Sequence, residues 1–147
     1  MPGRREHADA AGHSLALEVD GVRVTMLTEV SGLALERDVV EVKQTAPDGT
    51  LVVKRLPGRH KAGEVTLSRG LTGDRTFEQW ARDVSLGTTG QPGAASIVVL
   101  DSQGEPVASY ALTGAWPRRL EVDGLRAGSD EVPTERLVVV YDSFERA

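Results

Sequence analysis

Residues 15–26 read LALEVDGVRVTM, and this stretch sets the pattern for most of the chain. Apolar and polar side chains alternate along it, which is the period of a β-strand with one buried face. Asp20 and Gly21 stand between the two alternating halves, and this dipeptide readily adopts the left-handed backbone of a two-residue turn. The stretch therefore predicts an antiparallel β-hairpin.

Similar short segments continue to the end of the chain, with turn signals about every eight to twelve residues, a spacing typical of barrels and sandwiches. One segment has a different period, because Phe77, Trp80 and Val84 fall on a single helical stripe. We therefore predict a mainly β fold, an antiparallel barrel or sandwich with one flanking α-helix over about residues 74–86. The three stripe residues are expected to anchor that helix in the core. Residues 1–14 are polar and aperiodic and are expected to form a flexible arm, which leaves 15–147 as a single domain.

Three breaks in the strand pattern are expected. Pro57-Gly58 is predicted to end a strand and to open a loop over residues 59–63. The Gly-rich residues 88–94 are predicted to form a second loop. Trp116 and Pro117 are predicted to mark a barrel corner or a change of strand partner, because proline cannot donate a hydrogen bond to a ladder.

Residues 33–56 form a second predicted hairpin, with its turn at residues 46–49. It is unusually charged, and its two faces are not clearly divided into core and solvent. A solvated edge hairpin and a hairpin that projects and pairs with another molecule both fit this pattern. On the second interpretation, the candidate interface residues are the charged ones, namely Glu36, Arg37, Asp38, Glu41, Lys43, Lys54 and Arg55.

Composition excludes several functions. The chain of 147 residues carries a net charge of −5, which disfavours binding to duplex DNA. It has no cysteine and three scattered histidines, and no motif for binding phosphate or for a serine nucleophile is present. We expect no catalytic residues, no cofactor and no metal. Neither a bilayer-spanning run nor a signal peptide is recognised, so synthesis in the cytoplasm is expected.

Taken in order, the local motifs resemble those of tail tube proteins from contractile phages and phage tail-like contractile injection systems. The similarity extends over residues 15–146, although no single motif is specific. The motifs are Leu17–Gly21, Thr28–Leu33, Lys54–Gly58, Val65–Gly70, the helix around Trp80, Ala115–Pro117 and Glu135–Tyr141.

This resemblance implies a fold similar to that of the haemolysin-coregulated protein of type VI secretion. It implies hexameric rings that stack into a hollow tube, which a contracting sheath drives through a target envelope. The hairpin of residues 33–56 would then meet the next ring. Implied partners are the chain itself, sheath protein, baseplate or tube-initiator proteins, a possible second tube paralogue, and lumenal cargo, DNA or a tape-measure protein. The alternative is a tube-initiator or baseplate adaptor that forms a ring but does not polymerise. Phage tails, extracellular injectors and cytoplasmic devices all fit.

Overall fold

The computed structural model describes residues 13–85 and 93–147, and these ranges contain nine strands and one helix. The predicted mainly β fold with a single short helix is confirmed. The strands are β1 Ser14–Val19, β2 Val22–Ser31, β3 Glu36–Thr45, β4 Leu51–Lys61, β5 Gly63–Gly70, β6 Gly93–Leu100, β7 Pro106–Asp123, β8 Thr134–Tyr141 and β9 Ser143–Arg146. The helix α1 covers Thr76–Ser85.

Six of the strands close into an antiparallel barrel in the order β6-β1-β2-β5-β8-β7, because β7 pairs back onto β6. The first hairpin, β1–β2, turns at Asp20 and Gly21, which both have positive φ. Strand β9 continues the line of β8 along the same edge of β7, since Thr113 pairs with Ser143 and Trp116 with Val140. Strands β3 and β4 form a separate two-stranded sheet.

The barrel interior is filled by alternate residues of its strands, as the period of the sequence predicts. Helix α1 adds Phe77 and Trp80 to the same hydrophobic cluster. Asp74 accepts hydrogen bonds from the amide and the hydroxyl of Thr76 at the start of the helix, at 3.2 and 2.7 Å. The fully buried aliphatic side chains are Leu17, Val24, Val65, Leu67, Ile97, Leu112, Leu137 and Val139.

The predicted end of a strand at Pro57-Gly58 is wrong, as is the predicted loop over 59–63. Strand β4 runs through both residues to Lys61, and β5 begins at Gly63. The register shifts here, because Gly58 and Arg59 lie opposite the single residue Asp38. A β-bulge of this kind accommodates a proline, and its extra residue explains why the strand continues.

The segment around Trp116 and Pro117 does not interrupt the strand either, since β7 runs from Pro106 to Asp123. What changes is the pairing. The edge that faces β6 is paired as far as Ala115, whereas the other edge follows β9 and then β8. A bulge at Arg118 shifts the register next to the proline. The ladder therefore absorbs Pro117 without a break.

The remaining boundaries differ in detail. The predicted helix of residues 74–86 is shorter at its start, and residue 86 lies outside the described residues. Of the predicted arm, residues 1–12 also lie outside them, and Ser14 already belongs to β1. Of the loop predicted for 88–94, residues 88–92 are not among the described residues, and Gly93 begins β6. Strand β9 was not predicted, because Asp142 separates it from the apolar run of β8.

Candidate assembly interface

The β3–β4 hairpin exposes apolar side chains on both of its faces. Val39 on one face is 66% exposed, and Leu51 on the same face is 64% exposed. Val40 and Leu56 pair across the opposite face, where both are also exposed. A strand of the barrel buries at least one of its faces. In this hairpin, by contrast, the subunit covers the apolar side chains of neither face.

The seven predicted interface residues all lie on this hairpin, but the structure divides them into two groups. Near the barrel, Lys61 approaches Glu36 at 3.9 Å and Asp38 at 3.8 Å. Arg37 donates to the carbonyl of Gly58 at 3.4 Å. Arg55 and Glu41, which are directly cross-strand, form an ion pair at 3.4 Å. These five residues therefore have partners inside the hairpin.

Lys43 and Lys54 form the second group. Each lies on the distal half of the hairpin, opposite a valine of the other strand, namely Val53 and Val42. Neither lysine has an ion-pair partner within residues 13–85 and 93–147. Of the seven predicted residues, these two are the ones left to bind a carboxylate from another molecule.

The hairpin is held to the barrel at the end of β8. The hydroxyl of Tyr141 lies 3.1 Å from the carbonyl oxygen of Gly32 and 3.2 Å from that of Ala34, and it accepts a hydrogen bond from the amide of Ala34 at 3.1 Å. The Tyr141 ring lies against Gly63, where any Cβ would collide with it. Tyr141 therefore contacts both the segment that leads into the hairpin and the segment that leads out of it, and it fixes the position of both.

A second contact fixes the returning strand. The Nε2 atom of His60 lies within hydrogen-bond distance of the carbonyl oxygen of Asp142, the residue between β8 and β9. Three residues after the end of β4, Glu64 of β5 accepts a hydrogen bond from Arg118 of β7 at 2.6 Å. We name the contacts of Tyr141 and His60 the root clamp. Neither residue was predicted from the sequence as part of the site. The available signal was a single tyrosine that ends an aliphatic run, since a buried hydroxyl needs a partner.

Replacing Tyr141 by Phe is expected to loosen the hairpin without unfolding the barrel. The ring stays against Gly63, but the hydrogen bonds to the 32–34 segment are lost, at a cost of about 0.5–1.5 kcal/mol. Amide hydrogen exchange should speed up in residues 33–61 while the barrel strands stay protected. As a control, Tyr110→Phe should leave the hairpin unchanged, because the Tyr110 ring packs on Phe144 with centroids 5.8 Å apart. If amide exchange in residues 33–61 is equally fast in both variants, the Tyr141 hydroxyl does not hold the hairpin in place.

Outside the β3–β4 hairpin, β7 and β9 offer strand edges with unpaired backbone groups. Beyond Ala115, the edge of β7 that faces β6 has no partner among the described residues. Strand β9 pairs with β7 alone, so its outer edge is open over residues 143–146 within the same part of the chain. Open edges of this kind readily pair with a strand of another chain.

The other predicted site residues lie away from the hairpin. Phe77 is fully buried and Trp80 is buried, whereas Val84 is partly buried and packs against the same core. Trp116 is half-exposed on β7, and Pro117 next to it is buried. These residues lie on the helix and on β7, and the structure does not bring them together with the charged hairpin.

The described residues contain no group of three or more histidine, aspartate or glutamate side chains that could hold a metal ion. Helix α1 is too short to cross a membrane, and residues 13–85 and 93–147 contain no other helix.

A closed antiparallel barrel with one flanking helix defines a tail-tube-like fold, which is shared with the haemolysin-coregulated proteins. The chain belongs to the T4-like virus tail tube protein gp19 family, whose model matches residues 13–145. The resemblance seen in the sequence motifs is thereby confirmed, and the chain is a tail tube protein.

Solved structures show the same fold at low sequence identity. A chain of the extracellular contractile injection system PVC sheath-tube complex in its extended state has a TM-score of 0.74 at 18% identity, covering 90% of this chain and 87% of that one. A chain of the anti-feeding prophage cap, which terminates the tube, has 0.73 at 21% identity with the same coverage. Hcp1 from Flavobacterium johnsoniae has 0.53 at 13% identity, covering 91% and 94%. Comparison with curated proteins finds no match.

Proposed function

We propose that this tail tube protein forms hexameric rings that stack head to tail into the hollow inner tube of a contractile injection system or contractile phage tail. Contraction of a sheath then drives the tube through a target envelope, with cargo or DNA in the lumen. The observation that carries the proposal is the β3–β4 hairpin, which exposes apolar side chains on both faces. A two-stranded hairpin is at best marginally stable in water by itself, so neighbouring subunits are expected to cover it.

Ring closure uses the open strand edges. The free part of β7 and the outer edge of β9 can pair with strands of adjacent subunits, which would join six barrels into one continuous wall. Stacking uses a different surface at each end of the subunit. Such a heterologous contact does not close on itself and therefore builds a filament.

The role is mechanical and not enzymatic. The proposed partners are sheath protein, baseplate or tube-initiator proteins, a possible second tube paralogue, and lumenal cargo or a tape-measure protein. Structures with the same fold include chains of a sheath-tube complex, a sheath/tube terminator and a baseplate, which supports partners of these kinds. We propose synthesis in the cytoplasm followed by assembly into the particle.

A second candidate is an adaptor that forms one ring and starts or ends the tube. It is favoured by the same fold in the tube-terminating cap and in the sheath/tube terminator. Purified protein, followed by negative-stain microscopy and light scattering over a range of concentrations, separates the two. Filaments of stacked rings support the tube, and single rings at every concentration support the adaptor. A protein that remains monomeric throughout would overturn both.

Charge reversal at Lys54 is expected to weaken stacking much more than folding. Lys54 is exposed on the distal half of the hairpin, so Lys54→Glu should change the free energy of unfolding by less than about 0.5 kcal/mol. A carboxylate facing an acidic partner should raise the protein concentration needed for filaments by roughly tenfold, the equivalent of about 1.4 kcal/mol. Sedimentation of filaments at several concentrations measures this.

Lys54→Gln provides the matched control, because it removes the charge without reversing it and should have an intermediate effect. The difference between Lys54→Glu and wild type should shrink at high salt, where exposed charges are screened. A Lys54→Glu protein that forms filaments at the wild-type concentration would exclude a role for this lysine in stacking.

A further inference from the structure

The hairpin root and the loop of residues 124–133 lie at opposite ends of the barrel wall. Strand β5 pairs with β8 from Gly63–Tyr141 at the hairpin end to Gly70–Thr134 at the other. Seven residue steps at about 3.3 Å each place these two ends roughly 23 Å apart. In a head-to-tail stack along the barrel axis, the surface that receives the hairpin lies at the end marked by Gly70 and Thr134.

That far end carries a cluster of exposed apolar side chains. Leu125 is 68% exposed and Val132 is 67% exposed, and Leu71 and Val122 are exposed beside them. We call these four residues the far-end patch. The amide of Leu71 donates to the carbonyl of Pro133 at 2.8 Å, which ties the two sides of the patch together. Single exposed apolar residues are ordinary, but a cluster of them is typical of an interaction surface.

A cleft adjoins the patch where the start of α1 faces β7. It measures about 190 Å³. Leu71, Leu120 and Val122 provide its apolar lining, and the polar lining comes from Thr72, Asp74, Arg75, Glu78 and Glu135. This volume is below the roughly 300 Å³ typical of small-molecule sites, and it is enough for one or two side chains. The far end therefore has a small recess, part apolar and part polar, that can admit a side chain of another molecule.

The charges of the two ends are complementary. Residues 36–61 contain six basic and four acidic side chains, so the hairpin is positive in a chain whose net charge is −5. Residues 123–133 contain three acidic side chains and one arginine. Asp130 and Glu131 in this loop have no ion-pair partner among the described residues. They can therefore pair with Lys43, which lies on the same face of the hairpin as Val39, Leu51 and Val53.

From this placement we infer that the far-end patch is the receptor for the β3–β4 hairpin of a second copy of this chain in the next ring. One face of the hairpin supplies exposed Val39, Leu51 and Val53 with the unpaired Lys43. The patch supplies apolar cover with two unpaired carboxylates. The inference rests on the proposed tube function and identifies the surface that the hairpin occupies.

The first test changes the patch alone. The double variant Leu125→Lys/Val132→Lys should still form rings but no filaments, because two cations then face the basic hairpin while the barrel core is untouched. Ser102→Lys/Gln103→Lys adds the same charge to the exposed β6–β7 turn and should form filaments like wild type. If the patch variant forms filaments at the wild-type concentration, the inference is overturned.

The second test mixes two variants that are each unable to stack. Leu51→Glu/Val53→Glu blocks the hairpin but keeps the patch, and the patch variant keeps the hairpin. Mixed rings should join, which mass photometry would show as at least a doubling of the ring mass. A mixture that contains single rings only would show that hairpin and patch are not partners. Because pairing requires folded rings of both kinds, a doubled mass also excludes misfolding.

The wild-type protein separates this inference from the proposed function. Wild-type protein that forms neither rings nor filaments would overturn the proposed function. Wild-type filaments together with an unaffected patch variant would overturn only the choice of receptor.

Discussion

Replacing Arg69 by Ala is expected to lower the free energy of unfolding by about 3–5 kcal/mol, the usual effect of removing one partner from a buried ion pair. The side chain of Arg69 is 2% exposed and lies 2.8 Å from Asp74 and 3.5 Å from Glu135. Its guanidinium carbon also lies 4.2 Å from the centre of the Phe77 ring. Without the arginine, the buried carboxylate of Glu135 has no cation beside it. Urea denaturation below the assembly concentration measures the loss.

Two controls test whether the buried pair is the cause. Arg82→Ala removes an arginine that is 67% exposed in an ion pair with Glu78, so it should cost less than about 1 kcal/mol. The double variant Arg69→Ala/Glu135→Ala removes both buried charges and should be less destabilised than the sum of the single variants. Strict additivity of the single variants, or a loss for Arg69→Ala no larger than for Arg82→Ala, would contradict the explanation.

The pH dependence of the Arg69 effect follows from Asp74. The hydrogen bond from Arg69, then that from Thr76, holds the pKa of the Asp74 carboxyl below its usual value. A carboxyl with a lowered pKa in the folded state stabilises the protein above its unfolded pKa, and this stabilisation is lost as the pH falls through the folded pKa. The cost of Arg69→Ala should therefore decrease in acid. Because the Asp74 side chain is 45% exposed, solvent screening keeps this contribution small.

The place of Arg69 shows what the sequence could and could not predict. Strict alternation along β5 puts Arg69 on the same face as Val65 and Leu67, so the period alone indicates an inward arginine. The sequence does not show that Glu135, on a strand far along the chain, lies directly opposite Arg69. Local signals such as the Asp20-Gly21 turn and the helical stripe led to correct elements. Pairing between distant strands had no comparable signal.

The hairpin gives the same lesson at the candidate interface. Its mixed faces and high charge were visible in the sequence, and both features were correctly located on β3 and β4. The contacts that hold the root of the hairpin were not visible in the sequence, because Ala34 and Tyr141 are separated by 107 residues. Pro57-Gly58 gave a misleading signal, since the same pair suits a strand end and a bulge. The sequence therefore identified the exposed hairpin, but not the residues that hold it in position.

Replacing Trp80 by Ala is expected to cost about 3–5 kcal/mol of subunit stability, the range found for deleting a large aromatic side chain from a core. Trp80 is 7% exposed and belongs to the cluster that joins α1 to the barrel. Trp116, the other tryptophan of the chain, is 38% exposed and supplies the matched control, so Trp116→Ala should cost clearly less. Thermal and urea denaturation at low protein concentration measure both losses.

Assembly should partly conceal the Trp80→Ala loss, because rings and tubes bind the folded subunit and not the unfolded chain. The melting temperature of Trp80→Ala should therefore rise towards the wild-type value as the protein concentration increases. Because Trp80 is buried in the core, the variant should still form tubes once it is folded. Equal losses for the two tryptophan variants would place Trp80 outside the core. A Trp80→Ala protein that is stable at low concentration but cannot form tubes would place it in the assembly interface instead.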